Sequence, residues 1–187
     1  DNPIYRGITT EAAELIKPGY VKHVASGKTD IGLITKSSNV FGNKISSIFN
    51  TSGLKTSYTN DIVYKTWVKL LVNVSINPLG ALLGVRNGAI IERPGIKRIL
   101  DRILSEAIQV AEESLPRADF SNIHDIVVSV IKNTKNNKCS MLQDIEKGKR
   151  TEIDYLNGYI VEKGRHLGII TPINSAITKL IKQLEQH

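Results

Sequence analysis

Three polar side chains recur at every fourth position of an otherwise apolar stretch, and their types are suited to chemistry. Lys69, Asn73 and Asn77 lie one above the other if the stretch is helical. Their neighbours are mostly Ile, Val, Leu and Trp, so we expect the helix to be largely buried. An unpaired polar group in such a place costs about 1–3 kcal/mol, and a charge costs more. One cation and two carboxamides in line therefore favour a helix that binds an oxyanion or a carboxylate.

Each of these residues also has a purely structural explanation. Lys69 can extend its amine to water, Asn73 can bond to a neighbouring helix, and Asn77 can end the helix before Pro78. Taken singly, the structural explanations are favoured, whereas the three residues together favour a small polar anion.

Two further residues lie in a second polar stretch. Ser140 opens a capping-box pattern with Gln143, so we expect it to cap a short helix. Glu152 falls in the first turn of the next helix, where a negative charge is favourable. If Gly148 breaks the helix, both side chains can face one cleft. A continuous helix would instead separate them by about 18 Å, and the sequence leaves both arrangements open.

The elements that must position these residues are helices, which follow one another from residue 59 onward. Asn60 or Asp61 begins the first, which runs to about Ile76, and Pro78 marks its end or a kink. Three further helices are predicted at Pro94 to about Leu115, at Ile123 to Lys132 with Ser121 as the cap, and at Thr151 to Leu167. A short helix is predicted to begin at Ser140. The last helix begins at Thr171-Pro172 and carries on one side Ile173, Ile177, Leu180, Ile181 and Leu184.

The first sixty residues predict a small α+β segment. Residues 20–25 and 28–33 alternate polar and apolar side chains around Ser26-Gly27, which predicts a hairpin. Residues 4–9 predict a third strand, residues 40–49 a short helix, and residues 54–58 an extended segment. Few large apolar residues occur here, so we predict the end of a larger sheet domain in residues 1–59 and a helical domain in residues 60–187. The predicted fold class is mainly α.

Composition limits the function classes. The net charge is +7, but the basic residues are spread along the chain and do not alternate with the ten aromatics, as a stacking surface for nucleic acid requires. No apolar run reaches the roughly eighteen residues of a membrane span, and the first residues lack the features of a signal peptide. The single cysteine, Cys139, fits a reducing, cytoplasmic compartment. His23, His124, His166 and His187 lack metal-ligand spacing, so we predict no metal.

Two long motifs resemble one enzyme family. Residues 67–79 (WVKLLVNVSINPL) are similar to the W-x-K-L-x-x-N-x-x-x-N-P-L substrate helix of ketopantoate reductases (2-dehydropantoate 2-reductases). Residues 140–158 (SMLQDIEKGKRTEIDYLNG) resemble the same family's second signature, and residues 7–10, 18–23 and 171–174 match it in order. The resemblance covers essentially the whole chain. It implies an NADPH-dependent enzyme that reduces ketopantoate to pantoate in pantothenate and coenzyme A synthesis.

The resemblance also implies a fold and a role for each residue. The helical part would be a domain like the C-terminal domain of 6-phosphogluconate dehydrogenase, after the remnant of an NADP-binding Rossmann domain. Lys69 would be the general acid, and it surrenders a proton more readily when burial removes water from it. Asn73, Asn77, Asn87 and Ser140 would bind substrate, and Glu152 and Ala12 would lie at the cofactor.

One feature of the family does not occur in these 187 residues: the G-x-G-x-x-G phosphate loop that follows the first strand. We therefore expect the nucleotide-binding units to precede Asp1 and the chain alone to be almost inactive. A homodimer is compatible with the helical domain.

The alternative to a reductase is a noncatalytic basic helical module that binds nucleic acid or a partner protein. It explains the charge but neither the polar stripe nor the two motifs.

Overall fold

A computed structural model describes residues 2–35 and 41–185. The chain divides into two compact units, Asp1–Thr66 and Trp67–His187. The division falls inside the second helix, a few residues after the boundary predicted at 59/60.

The first unit contains five described strands and one helix. The strands are β1 (Tyr5–Thr9), β2 (Ala12–Lys17), β3 (Tyr20–Ala25), β4 (Thr29–Leu33) and β5 (Thr56–Tyr58), and the helix is α1 (Gly42–Thr51). They form two sheets, because β1, β4 and β5 pair in one and β2 and β3 pair in the other. The β1–β4 pair is antiparallel and the β4–β5 pair is parallel.

The predicted hairpin around Ser26-Gly27 is wrong. Its two strands, β3 and β4, belong to different sheets, and β3 instead pairs antiparallel with β2. The real turn contains Gly19, whose φ of 77° suits glycine. Gly27 has another function, since a Cβ there would lie 2.3 Å from the carbonyl carbon of Thr10. The glycine therefore allows a close backbone crossing, a need that its sequence context does not distinguish from a turn.

The remaining elements of the first unit include two predicted strands, a predicted helix and one strand that the sequence did not predict. The strand predicted at residues 4–9 is β1, and the extended segment predicted at 54–58 contains β5. The predicted short helix is α1, which ends where Gly53 adopts a φ of 86°; its predicted start at Val40 lies outside the described residues. The strand β2 was not predicted, because Ala12–Lys17 has no alternating pattern.

The second unit is helical. Its described helices are α2 (Ile62–Leu83, which begins in the first unit), α3 (Ala89–Glu92), α4 (Pro94–Ser114), α5 (Ile123–Asn133), α6 (Ser140–Glu146), a 3-10 turn (Ile153–Tyr155), α7 (Asn157–Leu167) and α8 (Pro172–Leu184). The prediction of a mainly helical chain with a strand-containing start is confirmed.

The core of the second unit forms around α4, which packs against α7 and α8. The buried side of α4 follows helical spacing through Leu100, Ile103, Leu104, Ala107, Val110 and Ala111. Ile177 and Ile181 of α8 are buried as predicted, whereas Leu180 is 52% exposed.

Two predicted helix boundaries need correction. The helix α2 does not end at Pro78 but continues for five further residues to Leu83. Ser121 does not cap α5, because Asn122 occupies the N-cap position and the Asp119 carboxylate accepts a hydrogen bond from the Ser121 amide at 2.9 Å. The aspartate thus supplies the local turn contact that the sequence assigned to the serine.

The helix α2 is long and apolar enough to cross a membrane by length and composition, contrary to the expectation from apolar runs. However, 56% of its most apolar window is buried inside the structure. A core helix passes the same test, so this feature is weak evidence for a membrane.

Candidate functional site

The polar face of α2 passes from solvent into the core. Lys69 is exposed, Asn73 is half-buried and Asn77 is only 8% exposed. The expectation that Lys69 is buried with the rest of the helix is wrong for the described chain, because continuous burial begins only at Val74. The side chains of Asn73 and Asn77 form no hydrogen bond with any residue in the described ranges. Two carboxamides on one helix face are therefore available to a ligand.

Pro78 leaves a gap in the hydrogen-bond ladder of α2. Proline has no amide N–H, so the carbonyl of Val74, four residues earlier, loses its usual partner inside the helix. The side-chain amide of Asn157 fills this gap by donating to the Val74 carbonyl at 3.0 Å. Asn157 is fully buried and begins α7. The stretch that carries Glu152 is thereby joined to the middle of α2.

A buried polar network continues from this contact. Asn157 also donates to the side-chain oxygen of Asn174 at 2.9 Å. The Asn174 amide in turn donates to the Ile103 carbonyl at 3.1 Å and to the Glu106 carboxylate at 2.8 Å. Glu106 also accepts the backbone amides of Ile173 and Asn174 at 2.9 Å, at the start of α8. Four helices, α2, α4, α7 and α8, therefore meet through two buried asparagines.

The start of α6 is capped by Cys139 and not by Ser140, so the predicted capping box is wrong. The Cys139 sulfur accepts the Leu142 amide at 3.4 Å, and its S–H donates to the Asn77 carbonyl at 3.3 Å. Burial raises the pKa of this thiol, so it remains a neutral S–H donor. Ser140 is exposed and its hydroxyl forms no hydrogen bond within the described ranges. A hydroxyl released from capping is available to a ligand.

Glycine permits the close packing between α6 and α2. A Cβ at Gly80 would lie 2.8 Å from the Cys139 sulfur, which is closer than real contacts allow. The absence of a side chain at this position therefore brings Cys139, and Ser140 beside it, to the turn of α2 that contains Asn77.

Asn87 has a structural partner of its own. It is 6% exposed, and its amide donates to the Thr134 hydroxyl at 2.9 Å. Its backbone N–H donates to the Asn137 carbonyl at 3.0 Å. The side-chain oxygen is buried without a hydrogen-bond partner in the described structure. Asn87 thus joins the segment after α2 to the segment after α5 and retains one free acceptor.

The two residues expected at a cofactor lie in different units. Glu152 directly precedes the 3-10 turn, is exposed, and its carboxylate has no ion pair or hydrogen bond with the described residues. Gly148, with a φ of 62°, follows the end of α6, so Ser140 and Glu152 lie on separate elements and the continuous helix is excluded. Ala12 lies in β2 of the first unit, paired with Ala25 and half-buried.

The second motif is thus fixed to α2 near both of its ends by hydrogen bonds to backbone carbonyls of the helix. Cys139 bonds at Asn77, and Asn157 bonds at Val74. The arrangement provides unpaired carboxamides, a hydroxyl, a cation and a carboxylate in one unit, which can bind a small polar anion and exchange a proton with it. Sequence reasoning missed Asn157, Asn174 and Glu106. The signal for Asn157 was Pro78, because a proline inside a buried helix requires an outside donor for the freed carbonyl.

Other candidate features lie away from these residues. A shallow depression of about 440 Å³ at the junction of α7 and α8 contains none of the predicted site residues. It is lined by Val161, Arg165, Gly168, Ile169, Ile170, Thr171, Pro172 and Ser175. No group of three or more His, Cys, Asp or Glu residues that could hold a metal ion occurs within residues 2–35 and 41–185, and His187 lies outside them.

Comparisons with known proteins agree on one family. Residues 61–185 match the family described as ketopantoate reductase PanE/ApbA C terminal. A 2-dehydropantoate 2-reductase of Pyrococcus horikoshii is 38% identical over 179 residues, 96% of this chain and 59% of that protein. One from Vibrio cholerae is 35% identical over 98% of this chain and 62% of that protein. The chain thus spans about 60% of the length of these relatives.

Solved structures also superpose on nearly the whole chain. A PanE/ApbA family ketopantoate reductase from Ralstonia eutropha superposes with a TM-score of 0.88 at 25% identity, over 98% of this chain and 60% of that one. A D-mandelate dehydrogenase in complex with NADH and anilino(oxo)acetate gives a TM-score of 0.88 at 26% identity, over 97% of this chain and 59% of that one. With two thirds of its residues matched to the family's C-terminal domain, this chain belongs to the ketopantoate reductase family.

Proposed function

We propose that the intact protein containing this chain reduces ketopantoate to pantoate with NADPH, and that this chain supplies the substrate helix and the general acid. The observation that carries the proposal is the polar face of α2. The side chains of Asn73 and Asn77 have no hydrogen-bond partner among the described residues, and Lys69 lies on the same face. The named relatives support the substrate, because matches in both sequence and structure are ketopantoate reductases.

Asn73, Asn77 and Ser140 would hold the substrate. Their amides and hydroxyl can bond its carboxylate, keto and hydroxyl oxygens, which would fix the C2 ketone near Lys69. Asn87 would add its free acceptor from the segment after α2. Holding the reacting carbon in one orientation contributes to the rate because less freedom is lost in the transition state.

Lys69 would act on the C2 ketone oxygen. The ammonium group first stabilises the negative charge that develops on this oxygen and then donates a proton to it, so that C=O becomes CH–OH. NADPH, when bound, supplies the hydride that forms the new C–H bond. Lys69 is exposed in the described chain, so its shielding from water would come from the substrate and from the cofactor side of the site.

The residues present fit one end of a dinucleotide. Glu152 is an exposed carboxylate without an ion pair or hydrogen bond in the described structure, which suits a bond from a ribose hydroxyl. Ala12 of the first unit would also contact the cofactor. These 187 residues contain no G-x-G-x-x-G loop, so we propose that residues 1–59 are the remnant of an NADP-binding Rossmann domain, residues 60–187 the substrate domain, and that the chain alone has almost no reductase activity.

A different 2-oxo acid is the substrate alternative. The similar D-mandelate dehydrogenase was solved with anilino(oxo)acetate, which differs from ketopantoate in its side chain. The groups proposed to act on the ketone and carboxylate do not depend on that side chain.

We further propose a cytoplasmic enzyme with no resident metal and no nucleic-acid or membrane partner, able to form a homodimer.

The test is an assay of NADPH oxidation by the intact protein with ketopantoate. Lys69→Ala is expected to lower kcat/KM by about 10²- to 10⁴-fold, the usual contribution of a general acid. Lys65→Ala is the matched control, because this lysine lies one turn earlier on α2 and forms a 2.8 Å ion pair with Asp30 of the first unit. A Lys69 variant as active as the control would refute the acid assignment. Turnover of other 2-oxo acids but not ketopantoate would replace the substrate.

A further inference from the structure

The gap at Pro78 lies between the residues proposed to bind substrate. On α2, the carbonyl freed by Pro78 belongs to Val74, next to Asn73 and three residues before Asn77. Without a partner, a buried carbonyl is destabilising, so the helix would bend or open at this turn to reach one. The directions of the polar side chains on this helix therefore depend on what satisfies Val74.

The group that satisfies Val74 is the side-chain amide of Asn157, at 3.0 Å. Asn157 has 0% exposure, so water does not compete with this bond. Its second amide hydrogen is directed to Asn174 at 2.9 Å, which leaves the amide no alternative orientation that keeps both bonds. Asn174 is held by Glu106, whose carboxylate makes a charge-assisted bond at 2.8 Å. Asn174 and Glu106 therefore hold the Asn157 amide in the orientation that donates to the Val74 carbonyl.

Asn157 also lies five residues after Glu152, within the same short stretch of chain. One side chain therefore fixes the backbone of α2 beside Asn73 and, through its own backbone, the segment that presents Glu152. We propose that Asn157 is a positioning residue, which holds the polar face of α2 in its active arrangement by replacing the hydrogen bond that Pro78 removes. This inference rests on the proposed reductase function, and Asn157 itself touches no substrate.

The test uses Pro78→Ala as a rescue in the intact protein. Asn157→Ala is expected to lower kcat/KM for the 2-oxo acid at least tenfold, with most of the loss in kcat, at a temperature well below its melting point. Pro78→Ala restores an N–H at residue 78, which can bond to Val74 inside the helix. The double variant Pro78→Ala/Asn157→Ala is therefore expected to recover most of the lost kcat.

Asn174→Ala is the matched control, because it breaks the same network one step away from α2. Asn157 can still bond to Val74 in that variant, so Pro78→Ala is expected to recover less than twofold of any kcat that Asn174→Ala loses. Equal recovery in both backgrounds would show a general gain in helix stability and would overturn the proposal. An Asn157→Ala variant with unchanged kcat and KM would overturn it as well.

The reductase proposal and this inference fail differently. If the unaltered intact protein reduces no 2-oxo acid, the proposed function is refuted, and the positioning role falls with it. If the unaltered protein is active and the double variant remains as impaired as Asn157→Ala, only the positioning role is refuted.

Discussion

At the scale of single residues, the site combines side chains left without partners with others that donate hydrogen bonds to the backbone of α2. Asn73, Asn77 and Ser140 make no side-chain hydrogen bonds within the described ranges, whereas Cys139 and Asn157 each hold a carbonyl of α2. A ligand can replace water around the first group at little cost to the fold. Loss of Asn157 leaves the buried Val74 carbonyl without a partner, which affects stability, whereas loss of Cys139 removes the cap of α6 and a second donor to the Asn77 carbonyl.

The neighbours Ser140 and Cys139 give the sharpest contrast. Ser140→Ala is expected to leave the melting temperature of the intact protein within about 1 °C, because exposed residues away from caps contribute little. It is expected to raise KM for the 2-oxo acid roughly tenfold through the loss of one ligand hydrogen bond. Steady-state kinetics and a thermal melt check both expectations.

Cys139→Ala is the comparison for Ser140→Ala. It removes the cap of α6 and the bond to Asn77, so we expect a loss of about 1–2 kcal/mol in stability. If Ser140→Ala lowers the melting temperature as much as Cys139→Ala does, Ser140 is a cap after all and the assignment of these two residues is reversed.

At the scale of elements, a single glycine sets how closely α6 approaches α2. Gly80→Ala would place a methyl group 2.8 Å from the Cys139 sulfur. We expect a loss of about 1–3 kcal/mol in stability, as is usual for overpacking. Chemical denaturation of the intact protein measures it.

Gly95→Ala is the matched control for Gly80→Ala. Gly95 lies in the first turn of α4 and a Cβ there would meet nothing within 4 Å. Alanine has the better helix propensity, so this variant is expected to be neutral or slightly more stable. Adding Cys139→Ala to Gly80→Ala should relieve the crowding, and a purely additive loss would show that the contact with sulfur is not its cause.

An ion-pair group joins the segment after α6 to α8. Asp154 contacts Lys182 at 2.5 Å and Arg150 at 3.1 Å. The hydrogen bond from Lys182, followed by that from Arg150, outweighs partial burial and holds the pKa of Asp154 below its usual range. A carboxylate with a lowered pKa in the folded state stabilises the fold above its unfolded pKa of about 3.9 and loses this contribution as the pH falls through the folded pKa.

Asp154→Asn is therefore expected to cost up to about 1 kcal/mol at pH 7, as is typical of partly exposed ion pairs. The difference from the unaltered protein should shrink as the pH falls through the lowered folded pKa of Asp154, since both proteins lack the charge below it. Denaturation at pH 7 and over a descending acid series measures the change, with Glu162→Gln on α7 as an exposed acidic control. A difference that does not change with pH would assign the effect of the substitution to packing.

The elements that sequence predicted well have a strong local signal. The helix α4 begins at Pro94 as expected, and α8 begins at Pro172, because proline in a first turn and helical apolar spacing are both local. The features that sequence missed depend on distant partners. The pairing of β3 with β2, the crossing at Gly27 and the continuation of α2 through Pro78 are each decided by another segment.

In the candidate site, too, the sequence predicts the features that follow from local geometry and misses those that depend on distant segments. The spacing of Lys69, Asn73 and Asn77 predicts a shared helix face correctly, because that follows from helix geometry alone. The exposure of Lys69 and the capping role of Cys139 do not follow from spacing. Cysteine is not among the residues preferred at a helix N-cap. The capping role of Cys139 depends on its contact with Asn77, which lies 62 residues earlier in the chain.

At the scale of the whole molecule, the charge of +7 is dispersed. Within the mild basic cluster from Lys132 to Arg150, Lys138 pairs with Glu146, and Arg150 pairs with Asp154. These pairs reduce the positive potential that a nucleic-acid surface would need. We therefore propose that the charge attracts small anions and does not form a binding surface for a polyanion.

We accordingly expect the intact protein to bind a mixed-sequence DNA duplex no more tightly than about 10⁻⁴ M at 150 mM salt, the weak end of nonspecific affinity. Fluorescence anisotropy over a series of salt concentrations measures it. Binding near 10⁻⁶ M with a steep salt dependence would instead favour the noncatalytic module.

The sole cysteine of the chain is also a natural reporter. Because Cys139 is buried, bonds to both α2 and α6, and has a raised pKa, a thiol reagent can label it only when the start of α6 opens. The labelling rate therefore measures the opening of the same turn that presents Ser140, in unaltered protein and without an engineered probe. Ligands that bind at Ser140 should slow the labelling in proportion to their occupancy, which turns one capping thiol into an assay for the substrate.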